Sequence, residues 1–182
     1  MKYYLKLGFI LLIFCAIASG VLAYINTLTA PIIAERKARE AIETRSALIP
    51  GAEFHEVQAS DGSIFYEARD PETQEIMGYT FNASDLGYSS TVQTMVGVDP
   101  DFKVIAIRIV DQAETPGLGA NCTSPSFTDQ YKGLAIEDLY VNKDGGVIVP
   151  IAGATITSRC IANSIRKKAI EVRDEINQGG GE

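Results

Sequence analysis

The sequence predicts an α+β protein: a single N-terminal transmembrane helix and a stalk, then a domain whose mainly antiparallel sheet is packed by helices. Three observations carry this. No charged residue occurs over positions 7–34. Over positions 63–110, runs that alternate apolar and polar residues are separated by clusters of Asp, Gly and Pro, the pattern of strands joined by turns. From Thr157 onward, apolar residues recur every three or four positions, as on one face of a helix.

The uncharged stretch comes first. Positions 7–23 are rich in Leu, Ile, Phe, Ala and Val, and Tyr24-Ile25-Asn26-Thr27-Leu28 extends them. One bilayer crossing takes about 20 apolar residues, so the length suffices. Lys2 and Lys6 precede the span, and Tyr3, Tyr4 and Tyr24 stand where aromatic belts form. Basic residues ahead of a span hold the N-terminus in the cytoplasm and send the rest outside. Arg36, Lys37 and Arg39 beyond it weaken that bias, while the interleaved Glu35, Glu40 and Glu43 count little. The rival is a cleaved signal peptide, with small residues at Ala16-Ile17-Ala18 and Val21-Leu22-Ala23. Signal cores run about 7–15 apolar residues, and this one is longer, which favours a retained anchor over 1–30. A lipid-modified Cys15 is disfavoured by the bulky Ile13-Phe14 before it.

Pro31 can open a second helix, 32–48, that Pro50-Gly51 stops. Its charges alternate, as in a solvated stalk over 31–50. Strands are expected at 63–68 and 76–82, a hairpin around Asp70-Pro71-Glu72, and at 91–98 and 103–110, paired across Asp99-Pro100-Asp101. Positions 84–90 read as a polar, glycine-containing loop. After Gly119 the periodicity is weak, and Phe127, Tyr131, Leu134, Ile136 and Leu139 can anchor a partly helical cover. Positions 147–149 read as a short buried strand. The last helix is expected from Thr157 or Ser158 to about Asn177, with Ile161, Ile165, Ala169, Val172 and Ile176 on its buried face, before a flexible tail at 179–182.

Composition narrows the function. The net charge is −7 although Lys2 and Lys6 are the only charges before Glu35, so the remainder is strongly acidic. That argues against nucleic acid as a partner. The three cysteines, Cys15, Cys122 and Cys160, form no Cys-x-x-Cys, so zinc-ribbon, iron–sulfur and thioredoxin chemistry lack their ligands. His55 is the sole histidine and reads as a surface or packing residue.

Two segments carry chemistry. Gly153-Ala154-Thr155-Ile156-Thr157-Ser158 opens the last helix after a loop rich in Gly and Pro. Helix N-termini present unpaired N–H groups and a dipole that favours anions, and Gly153 leaves the backbone open to a bulky ligand. A phosphate could be held there, or esterified to a hydroxyl. The bland reading is an ordinary Ser/Thr cap. Glu114-Thr115-Pro116-Gly117-Leu118-Gly119 follows an apolar strand and reads either as a simple Pro-Gly turn or as a loop of exposed N–H groups beside a ligand.

Together the two segments resemble the FMN-binding domain family of the RnfG and NqrC subunits of membrane redox pumps. The family's Glu-Thr-Pro-Gly-Leu-Gly signature stands in full at 114–119. Its Ser/Thr-Gly-Ala-Thr/Ser-x-Thr/Ser motif is matched at 153–157, with Ala152 where the family often has Ser or Thr. The resemblance covers nearly the whole chain, and the length suits RnfG better than NqrC. It implies FMN joined through its phosphate to Thr157, within an FMN-binding domain over 51–178. Gly153, Ala154, Thr155 and Ser158 would surround the phosphate. Glu114, Thr115, Gly117, Leu118 and Gly119 would lie along the ring or ribityl chain. Leu118 either packs on the ring or plugs the core, and Glu114 either accepts from the ribityl hydroxyls or caps the loop. No catalytic residue and no metal site is implied, and a thioether to Cys122 or Cys160 is disfavoured because no basic cluster activates either thiol.

The resemblance further implies an electron-transfer subunit of an Rnf-type ion-translocating ferredoxin:NAD oxidoreductase, with no catalysis of its own. Its partners would be the other membrane subunits and a separate flavin transferase that uses FAD as FMN donor. It would sit in a bacterial cytoplasmic membrane, crossed once, with the flavin domain on the outer side. The alternatives are an NqrC-like subunit of an NADH:quinone reductase and a membrane-anchored scaffold without redox function.

Overall fold

A computed structural model describes residues 2–179. The chain divides into two units, Met1–Glu43 and Thr44–Glu182. Helix α1 (Lys2–Leu48) makes up the first and contributes its last turn to the second. Its large apolar side chains from Tyr3 to Ile33 are exposed on every side. A helix apolar all round has no single face to bury in protein, and α1 is long and apolar enough to cross a membrane. The expected break at Pro31 is absent: the proline lies inside the helix. Its ring costs one backbone hydrogen bond, and close by the Thr27 and Thr29 hydroxyls donate to the carbonyls of Tyr24 and Ile25 at 2.7 and 3.0 Å. The helix ends where Gly51, at φ +82°, turns the chain away.

In the second unit, β1 (Glu53–Gln58), β2 (Ile64–Arg69), β3 (Ile76–Leu86), β4 (Thr91–Val98) and β5 (Val104–Asp111) form one antiparallel sheet in sequence order. Both expected hairpins are present. Strand β3 runs to Leu86, so only 87–90 remains of the loop expected at 84–90. Strand β1 carries no periodic signal because Phe54 and Val57 fall on opposite faces of an exposed edge. His55 lies on it, exposed.

A short helix α2 (Pro125–Thr128) and four 3₁₀ turns lead from β5 to the last helix, α3 (Thr155–Gly179). Helix α3 packs on β3 and β4 with Ile161, Ile165, Ala169 and Val172 buried and Ile176 at the margin. The irregular cover buries Phe127, Tyr131, Ile136 and Leu139 into the same core. The strand expected at 147–149 does not form. Ile148 is buried and bridges Val141, but Val147 and Val149 are 62% and 57% exposed. Gly145-Gly146 before it and Pro150 after it leave too few residues to build a ladder.

Strand β4 is buried on both faces. Val92, Val96 and Val98 join the core under α3. Met95 and Gly97 are buried as well. A Cβ on Gly97 would lie 3.2 Å from Leu48 Cβ, so the glycine lets the end of α1 press on the sheet. Beside it, the Arg45 guanidinium lies 3.4 Å from the centre of the Tyr66 ring. The tail expected at 179–182 lies outside the described residues apart from Gly179, the last residue of α3.

Candidate functional site

Three segments meet at the N-terminal end of α3. They are the β3–β4 turn at 87–90, the loop after β5 at 112–119, and the turn at 151–154 that feeds the helix. Gly153 adopts φ +75°, which a side chain would resist. The first helical hydrogen bond runs from Ser158 N–H to the Ala154 carbonyl at 3.1 Å. Ser158 is buried, accepting from Ile151 N–H and donating to the Ala154 carbonyl, each at 3.0 Å. Its hydroxyl therefore braces the turn.

Glu114 is the centre of the arrangement. Its Oε2 accepts a hydrogen bond from the Thr157 hydroxyl at 2.7 Å, and both residues are buried. Its Oε1 accepts from the N–H groups of Ser89 and Ser90, each at 2.9 Å, and from the Ser90 hydroxyl at 3.3 Å. Two glycines make room for the carboxylate. A Cβ on Gly87 would lie 2.7 Å from Oε1, and one on Gly119 would lie 2.5 Å from Oε2 and 3.0 Å from Thr157 Oγ1. Burial pulls the Glu114 pKa upward. The Thr157 hydroxyl and the backbone N–H groups of Ser89, Ser90 and Tyr88 outweigh it, and the carboxyl is held below its ordinary value. It is ionised at neutral pH.

Beside this cluster lies a cleft of about 440 Å³. Its apolar walls are Leu118, Ile156 and Tyr88, exposed at 43%, 51% and 72%. Leu118 therefore does not plug the core. It lies over Gly153, where a Cβ would come within 2.9 Å of its Cδ2. Glu114, Thr115, Gly119, Gly153, Ala154, Thr155 and Thr157 also line the cleft, whereas Gly117 and Ser158 do not. Gly117 takes φ +78° at the apex of its loop, and its carbonyl accepts from the Asn121 side chain at 3.1 Å.

Lys143 also lines the cleft, and its ammonium donates to Thr155 Oγ1 at 3.1 Å. The sequence marks it only as part of a Lys-Asp-Gly-Gly turn. The neighbouring Asp144 fixes that turn to α3 through a two-pronged pair with Arg159, at 2.6 and 2.8 Å. Gly87, Ser89 and Ser90 are likewise readable from the sequence only as loop residues. Cys122 and Cys160 are buried free thiols. Burial, then the charge of Glu114, pushes Cys122 up to about 11; burial, then Asp85 and Glu114, pushes Cys160 up to about 12. Both stay protonated near neutrality, so neither is a ready nucleophile. Among the described residues no cluster of His, Cys, Asp and Glu suits a metal ion.

Comparison with known proteins covers both units. Residues 87–170 match the FMN-binding domain family, a span that contains all three converging segments. Residues 2–47 match the RnfG N-terminal region. The RnfG-type subunit of the proton-translocating ferredoxin:NAD(+) oxidoreductase complex of Clostridium ljungdahlii is 33% identical, over 88% of this chain and 86% of that protein. Its counterpart in the Na(+)-translocating complex of Acetobacterium woodii is 32% identical, over 90% and 89%. Among solved structures, NqrC of Shewanella oneidensis superposes with a TM-score of 0.52 at 19% identity, over 71% of this chain and 69% of that one, a likeness of fold.

Proposed function

The chain belongs to the RnfG family of ion-translocating oxidoreductase subunits, and we propose that it relays electrons in such a complex through FMN esterified to Thr157. One observation carries the reading: Thr157 is the hydroxyl residue in the first turn of α3, and it lines a cleft within the span that matches the FMN-binding domain.

The residues suit the cofactor. A phosphate at Thr157 would face the helix N-terminus, whose N–H groups and dipole favour an anion. The Lys143 ammonium, 3.1 Å from Thr155 Oγ1, adds a point charge. Leu118, Ile156 and Tyr88 offer apolar surface to a flat ring, and Gly153 and Gly119 keep the backbone open to it. Ala154, Thr155 and Ser158 hold the phosphate turn in shape. Thr115 and Gly117 shape the loop that carries Leu118. Bound FMN supplies chemistry that no side chain here has, the exchange of one or two electrons. A covalent link keeps it from being lost in a compartment that makes none.

In this reading a separate flavin transferase attaches FMN from FAD, and the other membrane subunits supply and accept the electrons. The first 30 residues cross the membrane, 31–50 form a stalk, and 51–178 form the FMN domain. Lys2 and Lys6 hold the N-terminus in the cytoplasm and leave that domain on the outer side. The match of residues 2–47 to the RnfG N-terminal region favours the Rnf role over the NqrC one. The test is co-expression with and without a flavin transferase, followed by a denaturing gel viewed under ultraviolet light. A fluorescent band that needs the transferase and disappears in Thr157→Ala is expected. No band in the wild type, with the transferase active on another substrate, would overturn the proposal.

A further inference from the structure

The Thr157 hydroxyl is fully buried, and it spends its proton on a carboxylate. An acceptor hydroxyl is a poor nucleophile until that proton leaves. The partner is well placed to take it. Glu114 Oε2 lies 2.7 Å from Thr157 Oγ1, inside the distance a general base requires. Its other oxygen is fixed by the N–H groups of Ser89 and Ser90, on the β3–β4 turn. The residues that cover Thr157, Leu118 and Gly119, belong instead to the following loop. That loop can swing out to admit a flavin donor while the turn keeps Glu114 aimed at the hydroxyl.

We propose that Glu114 is the general base for attachment of the flavin to Thr157, a role that rests on the covalent FMN reading above. In the step, Thr157 Oγ1 forms a bond to the phosphorus of the flavin phosphoryl group. The pyrophosphate bond of the donor, a flavin dinucleotide, breaks, and the nucleoside monophosphate departs with the bonding electrons. The hydroxyl proton passes to Glu114 Oε2 and from there to water. Nothing is oxidised or reduced. The acceptor chain thus carries part of the machinery for its own modification, and the transferase need only bring the donor and stabilise the leaving group.

A carboxylate that merely pins the turn would also be sensitive to substitution, so the test must separate the two roles. The full chain in detergent is incubated with a purified flavin transferase and FAD, and the mass gain at Thr157 is followed in time. Glu114→Gln keeps the shape and an acceptor oxygen for the turn but cannot take the proton. It is expected to label about 100-fold slower or worse, with KM for the acceptor chain unchanged. Glu114→Ala, the second variant, is expected to be rescued by added formate and not by formamide, which fills the same space without the basicity. Melting curves of both variants accompany the rates. Labelling of Glu114→Gln within a few-fold of wild type, a loss confined to KM, or equal rescue by formamide would overturn the role of Glu114 and leave the attachment itself intact. A wild-type chain that takes up no flavin, or a Thr157→Ala chain that does, would overturn both.

Discussion

Helix α3 is tied to a β-turn at each end, and the two ties differ in burial. Toward its C-terminus, Lys168 donates to Ser63 Oγ at 2.8 Å and pairs with Glu171 at 3.1 Å and Asp61 at 3.6 Å. Glu175 accepts from the N–H and hydroxyl of Ser60 at 2.9 and 2.6 Å. This lashes the β1–β2 turn to the helix in the open, where water and salt screen every charge. At the N-terminus, Thr157 and Glu114 lash the β3–β4 turn to the helix inside the protein, with Thr157 at 0% and Glu114 at 5% exposure. The chemistry of the two ties is alike: carboxylates accepting from hydroxyls and turn N–H groups. Only the buried one puts a polar group where an unmet hydrogen bond is costly, and it holds the hydroxyl that attachment would use.

Substitutions can break the contrast in order of expected effect. Thr157→Ala should abolish covalent flavin altogether, read as loss of the fluorescent band. Gly119→Ala comes next, because its Cβ would lie 2.9 Å from Glu114 Cβ as well as against Oε2. Overpacking of this kind costs about 1–3 kcal/mol, measurable as a lower urea midpoint with an unchanged slope. Third is the pH dependence of the Glu114 contribution. The folded pKa is depressed, so the stabilisation is present above the unfolded value near 4.5 and is lost as pH falls through the lower folded value. Wild type should therefore exceed Glu114→Gln in stability at neutral pH, and the gap should narrow below pH 4.5. An unchanged gap in acid would contradict the ionised state assigned to Glu114. Smallest is Lys168→Met at the exposed tie, expected to shift the melting temperature little and to have no effect at high salt. A large shift there would erase the distinction drawn from burial.

Much of this is legible in the sequence, for identifiable reasons. The strands β2 to β5 and helix α3 each carry a period that burial on one side imposes, so their existence and pairing can be read. The FMN-binding assignment can be read because the Glu-Thr-Pro-Gly-Leu-Gly and Gly-Ala-Thr-Ile-Thr segments recur as motifs. Strand β1 is invisible because an exposed edge imposes no alternation. The continuity of α1 through Pro31 escapes a sequence reading because a proline is compatible with either a helix start or a tolerated interior position. Lys143, Gly87, Ser89 and Ser90 carry no local signal. They reach the site through tertiary contacts, and Lys143 depends on the Asp144–Arg159 pair to be there at all. The choice for Glu114 is open in the sequence between ribityl contact and loop cap. The structure adds a partner 43 positions away along the chain, Thr157.

The most direct measurement is peptide mapping by mass spectrometry of the chain isolated from its native membrane. The expected result is a peptide spanning Gly153 to Arg159 that carries one FMN in phosphoester linkage on Thr157. A bare Thr157, or a flavin on any other residue, would contradict the electron-relay function at its root.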